Sequence, residues 1–338
     1  MTCHYYAIRH GKSSNRKTTR FEMKKKTLLI LLSILIVLTG LVFLLPIRYP
    51  TSRQVRVALP INEVSPEFTQ FRNWVKWFPG LQSASGTDIA LSGSDSILNA
   101  PGLYLQMVNS GPDYINLKEH EGTQSRYHSI RLFADSFGFA TNVKWTEYEL
   151  LPGWLASHLL QRSSVDRNIF ALKAFADDPS RFFGFKIKIM PVQDTLVMTM
   201  NTISHKKDAL KSLAGLYEEM HDFLEKNHTH ADDSRYPLGG FQRHGNDSMV
   251  VMAGLPVRQK IVSGNNIKYL EMPAGGKMLV GEYEGRYSRI RELYKAMDRY
   301  KLIRNLVPVA SPFERYIISP LNGADSLHVK IELFYPIL

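Results

Sequence analysis

Two stretches of the second half of the chain decide how it is read: Leu213-Ala214-Gly215-Leu216-Tyr217-Glu218-Glu219-Met220-His221-Asp222-Phe223 and Ile290-Arg291-Glu292-Leu293-Tyr294-Lys295-Ala296-Met297-Asp298-Arg299-Tyr300. In each, apolar residues recur at three- and four-residue steps, the signature of one buried helical face. Tyr217, Met220 and Phe223 match Tyr294, Met297 and Tyr300 at a constant offset, so the stretches read as two copies of one unit. Downstream of each helix stands a proline-led strand, Pro237 to Phe241 and Pro312 to Tyr316. An apolar strand ends each copy, Val250 to Val257 and Val329 to Ile337. Each copy therefore reads strand, helix, strand, strand.

The order of these pieces, with Gly285-x-Tyr287 before the second helix, Pro312-Phe313-Glu314-x-Tyr316 and the terminal Phe334-Tyr335-Pro336-Ile337, resembles the GyrI-like or effector-binding domain of AraC-type and multidrug-responsive regulators over about residues 190 to 338. The resemblance implies a pseudo-twofold sheet whose cleft takes small molecules between aromatic walls, often with a buried glutamate. Carried onto this chain, the carboxylate is Glu314, with Tyr316 on the same strand face, Tyr287 at the cleft mouth and Tyr283 on its wall. A carboxylate taken out of water requires a cation or hydrogen-bond donors, and aromatic faces attract cations, so such a cleft selects flat, apolar or cationic ligands. The first copy departs from the pattern, with Gly239 where the second has Glu314, so one half alone supplies an acid. The competing structural reading makes Glu314 a solvated strand residue paired with Arg315 or another surface cation.

Working toward the N-terminus, short alternating runs at Leu103 to Val108, Tyr127 to Phe133 and Ala140 to Tyr148, separated by turn formers, predict consecutive antiparallel strands. A strand at Val55 to Pro60 precedes them, followed by a helix opening at Ser65-Pro66-Glu67 and running into Asn73-Trp74-Val75-Lys76-Trp77-Phe78-Pro79. Asp166 to Ala176 is helical in pattern. This order resembles the helix-grip fold of the SRPBCC (START-related and polyketide-cyclase-like) superfamily over residues 53 to 183. Trp74 and Trp77, three apart on one helix face, either line its cavity for an apolar ligand or pack as aromatic core. The expected class is α+β: a helix-grip antiparallel sheet followed by a duplicated β-α-β-β unit.

The net charge of +11 suggests nucleic acid until it is located. Eight basic residues against Glu22 place +7 in residues 1 to 26, leaving +4 for the other 312, which argues against a nucleic-acid partner. The basic tail abuts an uncharged apolar run from Thr27 to Ile47. Such a run predicts a transmembrane helix acting as an uncleaved anchor, with the N-terminus in the cytoplasm by the positive-inside bias and the folded part beyond the inner membrane. A cleavable signal peptide fits less well, because no small-x-small site follows Leu44-Leu45-Pro46. Met23-Lys24-Lys25-Lys26 reads as a second possible start.

The one cysteine, Cys3, lies in the tail, so cysteine chemistry is excluded from the rest. His221, His228 and His230, near Asp232 and Asp233, share no ligand spacing, and no metal or cofactor is expected. Gly239-Gly240 and Gly275-Gly276 lack a strand-to-helix phosphate-loop context. The leading function is a membrane-anchored small-molecule binder or sensor. One alternative is a hydrolase or cyclase-like enzyme with Glu314 as general base, although no nucleophile elbow accompanies it. A further alternative is the effector domain of a transcription regulator.

Overall fold

The computed structural model describes residues 28–38, 40–41, 47–82, 88–93, 95–121, 124–160, 164–260, 266–321 and 327–338. The chain builds two antiparallel sheets. The first contains β1 (Arg48–Val57), β2 (Ala90–Ser92), β3 (Ile97–Ala100), β4 (Leu103–Gly111), β5 (Tyr114–Glu121), β6 (Gln124–Ala134) and β7 (Thr141–Leu150), in the order β1-β7-β6-β5-β4-β3-β2. Strands β2 to β7 form a meander, and β1 closes onto β7 with Val55 opposite Val143. Alternation puts Val143 and Trp145 of β7, Ile130 and Leu132 of β6, and Ile115 and Leu117 of β5 on one buried face. Two helices cover that face: α1 (Ile61–Thr69) and α2 (Ser164–Asp177), the second turning in Val165, Ile169, Leu172 and Phe175.

Helix α1 begins at Ile61, earlier than Ser65, with Pro60 as its extended N-cap and Pro66 inside it. It breaks at Gln70, which adopts an extended conformation, and the chain continues as a short helix, Phe71–Trp74. The break turns Trp74 and Trp77 inward, and both are fully buried. Their rings lie 5.1 Å apart, with Phe68, Phe78 and Trp145 packed around them.

The second sheet contains β8 (Ile187–Pro191), β9 (Leu196–His205), β10 (Leu238–Arg243), β11 (Ser248–Pro256), β12 (Lys268–Glu271), β13 (Lys277–Gly285), β14 (Phe313–Ile318) and β15 (Val329–Ile337), in the order β12-β9-β11-β10-β14-β15-β13-β8. That order is symmetric about the β10–β14 junction. Helices α3 (Ala209–Lys226) and α4 (Ile290–Arg304) follow β9 and β13 and pack on the same face. Each copy gains one strand over the sequence reading, and the two are exchanged. Strand β8, which precedes the first copy, pairs with β13 of the second, and β12, which precedes the second, pairs with β9 of the first. These exchanged edges were illegible in the sequence because each runs only four or five residues, within reach of random alternation. The opposite face carries Leu238, Met278 and Val280 and the stacked pair Phe313–Phe334.

Helix α4 also meets the first sheet's core. Arg299 Nε donates to Glu63 on α1 at 2.6 Å, its guanidinium lies over Phe182 and Phe183, and Ile303 is buried in the first core.

The apolar N-terminal run corrects the sequence reading. Residues 28–38 and 40–41 are helical. Among the described residues no helix is long and apolar enough to cross a membrane. This overturns the span assigned to residues 27 to 47, together with the membrane anchor, the orientation and the inner-membrane location that followed from it. The basic tail, with Cys3 and Met23, lies outside the described residues.

Candidate functional site

At the junction of the two copies, β10 and β14 run antiparallel with Gly239 directly opposite Glu314. Gly239 and Glu314 are each the second residue of their strand, so they are equivalent positions of the repeat, and the pseudo-twofold axis passes between them. Around an axis, two identical acids would repel at close range. Glycine in one copy removes that conflict. It also leaves room above the backbone for Tyr316, whose ring lies over Gly239.

Glu314 is 1% exposed, between sheet and helices. Its Oε1 accepts a hydrogen bond from Tyr294 Oη on α4 at 2.8 Å, and its Oε2 accepts one from Tyr287 Oη at 3.0 Å. Burial pushes the carboxyl up to about 6, and these two phenols, with a further pull from the Tyr316 hydroxyl, hold it from going higher. The Tyr316 hydroxyl, also buried, makes no hydrogen bond of good geometry. Burial, and then the neighbouring carboxylate, raise Tyr287 and Tyr294 well above the ordinary phenol range, so both remain donors at neutral pH. The ion pairs among the described residues do not include Glu314; the groups acting on it are the three tyrosines.

The structure thus brings together Glu314, Tyr316 and Tyr287 and adds Tyr294. Tyr217, the counterpart of Tyr294 in the first copy, instead donates to the Leu238 carbonyl at 2.6 Å. One signal for these two was present: tyrosine at the same step of both apolar helix stripes places a polar tip where a core residue would be wholly apolar. Tyr283 is placed apart. Its hydroxyl donates to the Arg286 carbonyl at 2.5 Å and its ring packs on Phe185, beside a crevice of about 550 Å³ lined with Lys186, Glu282 and Lys330. Trp74 and Trp77 lie in the first core, their indole N–H groups donating to the Phe68 and Glu67 carbonyls. Asp232, beside the histidine loop, is engaged by Ser234 and Arg258.

Tyr287 and Tyr294 are half-buried and form the roof over Glu314. Tyr287 sits in a single 3-10 turn, Tyr287–Arg289, that buries no residue and follows Gly285, whose φ of 148° is poorly suited to other residues. A segment with so few buried contacts opens at low cost.

No family model and no curated protein sequence matches the chain, so neither resemblance drawn from the sequence is established as a family. Solved structures resemble it over part of its length. EcmrR in its DNA complex covers 55% of this chain and 76% of its own at 15% identity and a TM-score of 0.40. The EcmrR C-terminal domain covers 46% and 98% at 15% identity and a TM-score of 0.37. A hydrolase from Listeria innocua covers 45% and 92% at 13% identity and a TM-score of 0.34.

Proposed function

We propose that the duplicated sheet binds a small organic cation, with Glu314 as its counter-ion and Tyr287, Tyr294 and Tyr316 as its aromatic surround. The observation that carries this reading is a fully buried carboxylate supported by phenol donors and, among the described residues, paired with no Lys or Arg. Two neutral hydrogen bonds offset only part of the cost of burying a charge. An incoming cation supplies the missing term, and phenol faces add cation-π attraction in a site shielded from water. The asymmetry of the axis fits this use, since one carboxylate matches one positive charge.

A second reading treats Glu314 as a general base, because a carboxyl raised to about 6 is tuned near neutrality. Both readings are tested by titrating the chain with crystal violet and with its uncharged leuco form, then repeating with Glu314→Gln. Binding of the cation alone, weakened about tenfold to a hundredfold by the substitution, supports the binder. Equal binding of both forms removes the counter-ion role. Glu314-dependent turnover of an ester panel by the wild type favours the enzyme.

A further inference from the structure

The first sheet holds a second buried polar cluster, remote from Glu314. Glu119, His128 and Glu147 project from β5, β6 and β7 into the helix-covered face, each no more than 5% exposed, with ligand-type atoms within 4.8 Å of one another. Glu147 stands opposite His128 across β6–β7 and opposite Thr51 across β1–β7. Ser164, at the start of α2, donates to Glu147 Oε2 at 2.7 Å, and Asn168 follows one turn later on the buried side of that helix. Arg126 Nε lies 2.9 Å from Glu149 Oε1 and 3.2 Å from Glu147 Oε1. Three buried carboxyl groups, Glu119, Glu147 and Glu149, thus stand near Arg126, and Arg167 also acts on Glu119.

The hydrogen-bond accounting around Glu147 is incomplete. Thr51 Oγ1 and both amide atoms of Asn168 are buried without a hydrogen-bond partner, and Glu147 Oε1 meets Arg126 Nε at 3.2 Å without a hydrogen bond of good geometry. Thr51 is 9% exposed, Glu147 2% and Asn168 1%. Buried groups of this kind are ordinarily satisfied by something; strand register sets Thr51 beside Glu147, and Asn168 lies one helical turn beyond Ser164, which donates to Glu147.

His128 is fixed by its neighbours. The Trp145 indole N–H donates to His128 Nδ1 at 3.1 Å, and an indole can only donate, so Nδ1 is the acceptor nitrogen and the proton sits on Nε2. That Nε2–H then donates to Glu119 Oε2 at 2.6 Å. A metal on Nε2 would require the ring to lose this proton while Nδ1 still faces an N–H, which disfavours nitrogen ligation. It leaves His128 orienting a carboxylate from behind, as groups around metal sites commonly do.

We propose that Glu119 and Glu147, with Thr51 Oγ1 and Asn168 Oδ1, bind a divalent cation of the oxygen-seeking, calcium-sized class, and that His128 is the positioning residue for Glu119. The donor set is all oxygen, the choice of hard cations over zinc or copper. The ligand-type atoms of Glu119, His128 and Glu147 lie within 4.8 Å of one another, a spacing at which the two carboxylates suit bonds of about 2.4 Å to a central ion, within the calcium range and wide for magnesium. The ion balances the carboxylate charge that Arg126 and Arg167 leave unmatched.

The test uses the full chain stripped with chelator and titrated with CaCl2, MgCl2 and ZnCl2, read by calorimetry and by thermal melting. Calcium is expected to bind one per chain and raise the melting temperature, with weaker effects from the other two. Glu147→Gln and Thr51→Val each lower calcium affinity, the first by at least about tenfold, while Glu314→Gln leaves it unchanged. Thr51→Val is the milder change and keeps the test open should Glu147→Gln fold poorly. His128→Gln, which keeps a donor for Glu119, retains calcium affinity within a few-fold, whereas His128→Leu, which strips Glu119 of its donor, loses it at a temperature where its calcium-free form is still folded by circular dichroism. No calcium response in the wild type, full affinity in Glu147→Gln, or zinc binding tighter than calcium with proton release would each overturn the proposal; the first would leave the cluster a hydrated structural network.

Discussion

Tyr316 lies across Gly239: a Cβ built at Gly239 would stand 2.7 Å from Tyr316 Cε2 and 2.8 Å from Cζ, well inside any real carbon contact. The residue missing a side chain in one copy of the repeat therefore makes room for the tyrosine that flanks the acid of the other. Gly239→Ala is expected to force Tyr316 off its position and to destabilise the chain by about 1 to 3 kcal/mol, the usual cost of overpacking. Urea unfolding measures it, and an unchanged midpoint would contradict the packing.

The proton balance at Glu314 gives a pH dependence with a definite sign. The folded carboxyl holds its proton up to about pH 6, against 4.5 for its ordinary value. Folding takes up a proton between those values, so stability is greatest below the lower one and falls as pH rises through the upper, by about 2 kcal/mol. Glu314→Gln should remove this slope, melting above the wild type at pH 8 and beside it at pH 4. Binding of a cation runs the other way, strengthening as pH rises through about 6.

Tyr294→Phe deletes a donor that favours the ionised carboxylate. The Glu314 carboxyl should then titrate higher still, moving the pH midpoint of crystal violet binding upward. Tyr217→Phe, whose hydroxyl serves a backbone carbonyl instead, should leave that midpoint in place. A pH series of binding isotherms on the two variants distinguishes them.

Arg299 supplies the polar part of the contact between α4 and the first sheet's elements, beside the buried Ile303. Its pairing with Glu63 is partly exposed and worth about 0 to 1 kcal/mol, and the cation-π contacts to Phe182 and Phe183 add a similar amount. Arg299→Ala is expected to cost about 1 to 2 kcal/mol and to separate the unfolding of the two sheets in a calorimetric scan. A single unshifted transition would show that the contact is idle.

Trp74 is wholly buried with its N–H satisfied, so Trp74→Ala should cost about 3 to 5 kcal/mol, as large core truncations do. If the proposed site is confined to the second sheet, crystal violet affinity at a temperature where the variant remains folded should be unaltered.

The repeat was legible because helical periodicity is a local property: the stripes of Tyr217 and Tyr294 declare which face of each helix is buried before anything is known of its surroundings. Strand alternation in Leu103 to Val108, Tyr127 to Phe133 and Ala140 to Tyr148 was legible for the same reason: the first two runs fall within β4 and β6, and the third starts one residue ahead of β7. The transmembrane expectation also came from a local property, apolar run length. It was not upheld: among the described residues no helix is long and apolar enough to cross a membrane. What depended on distant partners was closed to sequence. The exchange of β8 and β12, the pairing of Gly239 with Glu314, and the convergence of Glu119, His128 and Glu147 each join residues whose proximity is set by sheet register. Spacing along the chain fixes which side a residue faces; only the packed fold decides what it meets there, because that contact is chosen by the burial of the whole sheet and not by any one strand.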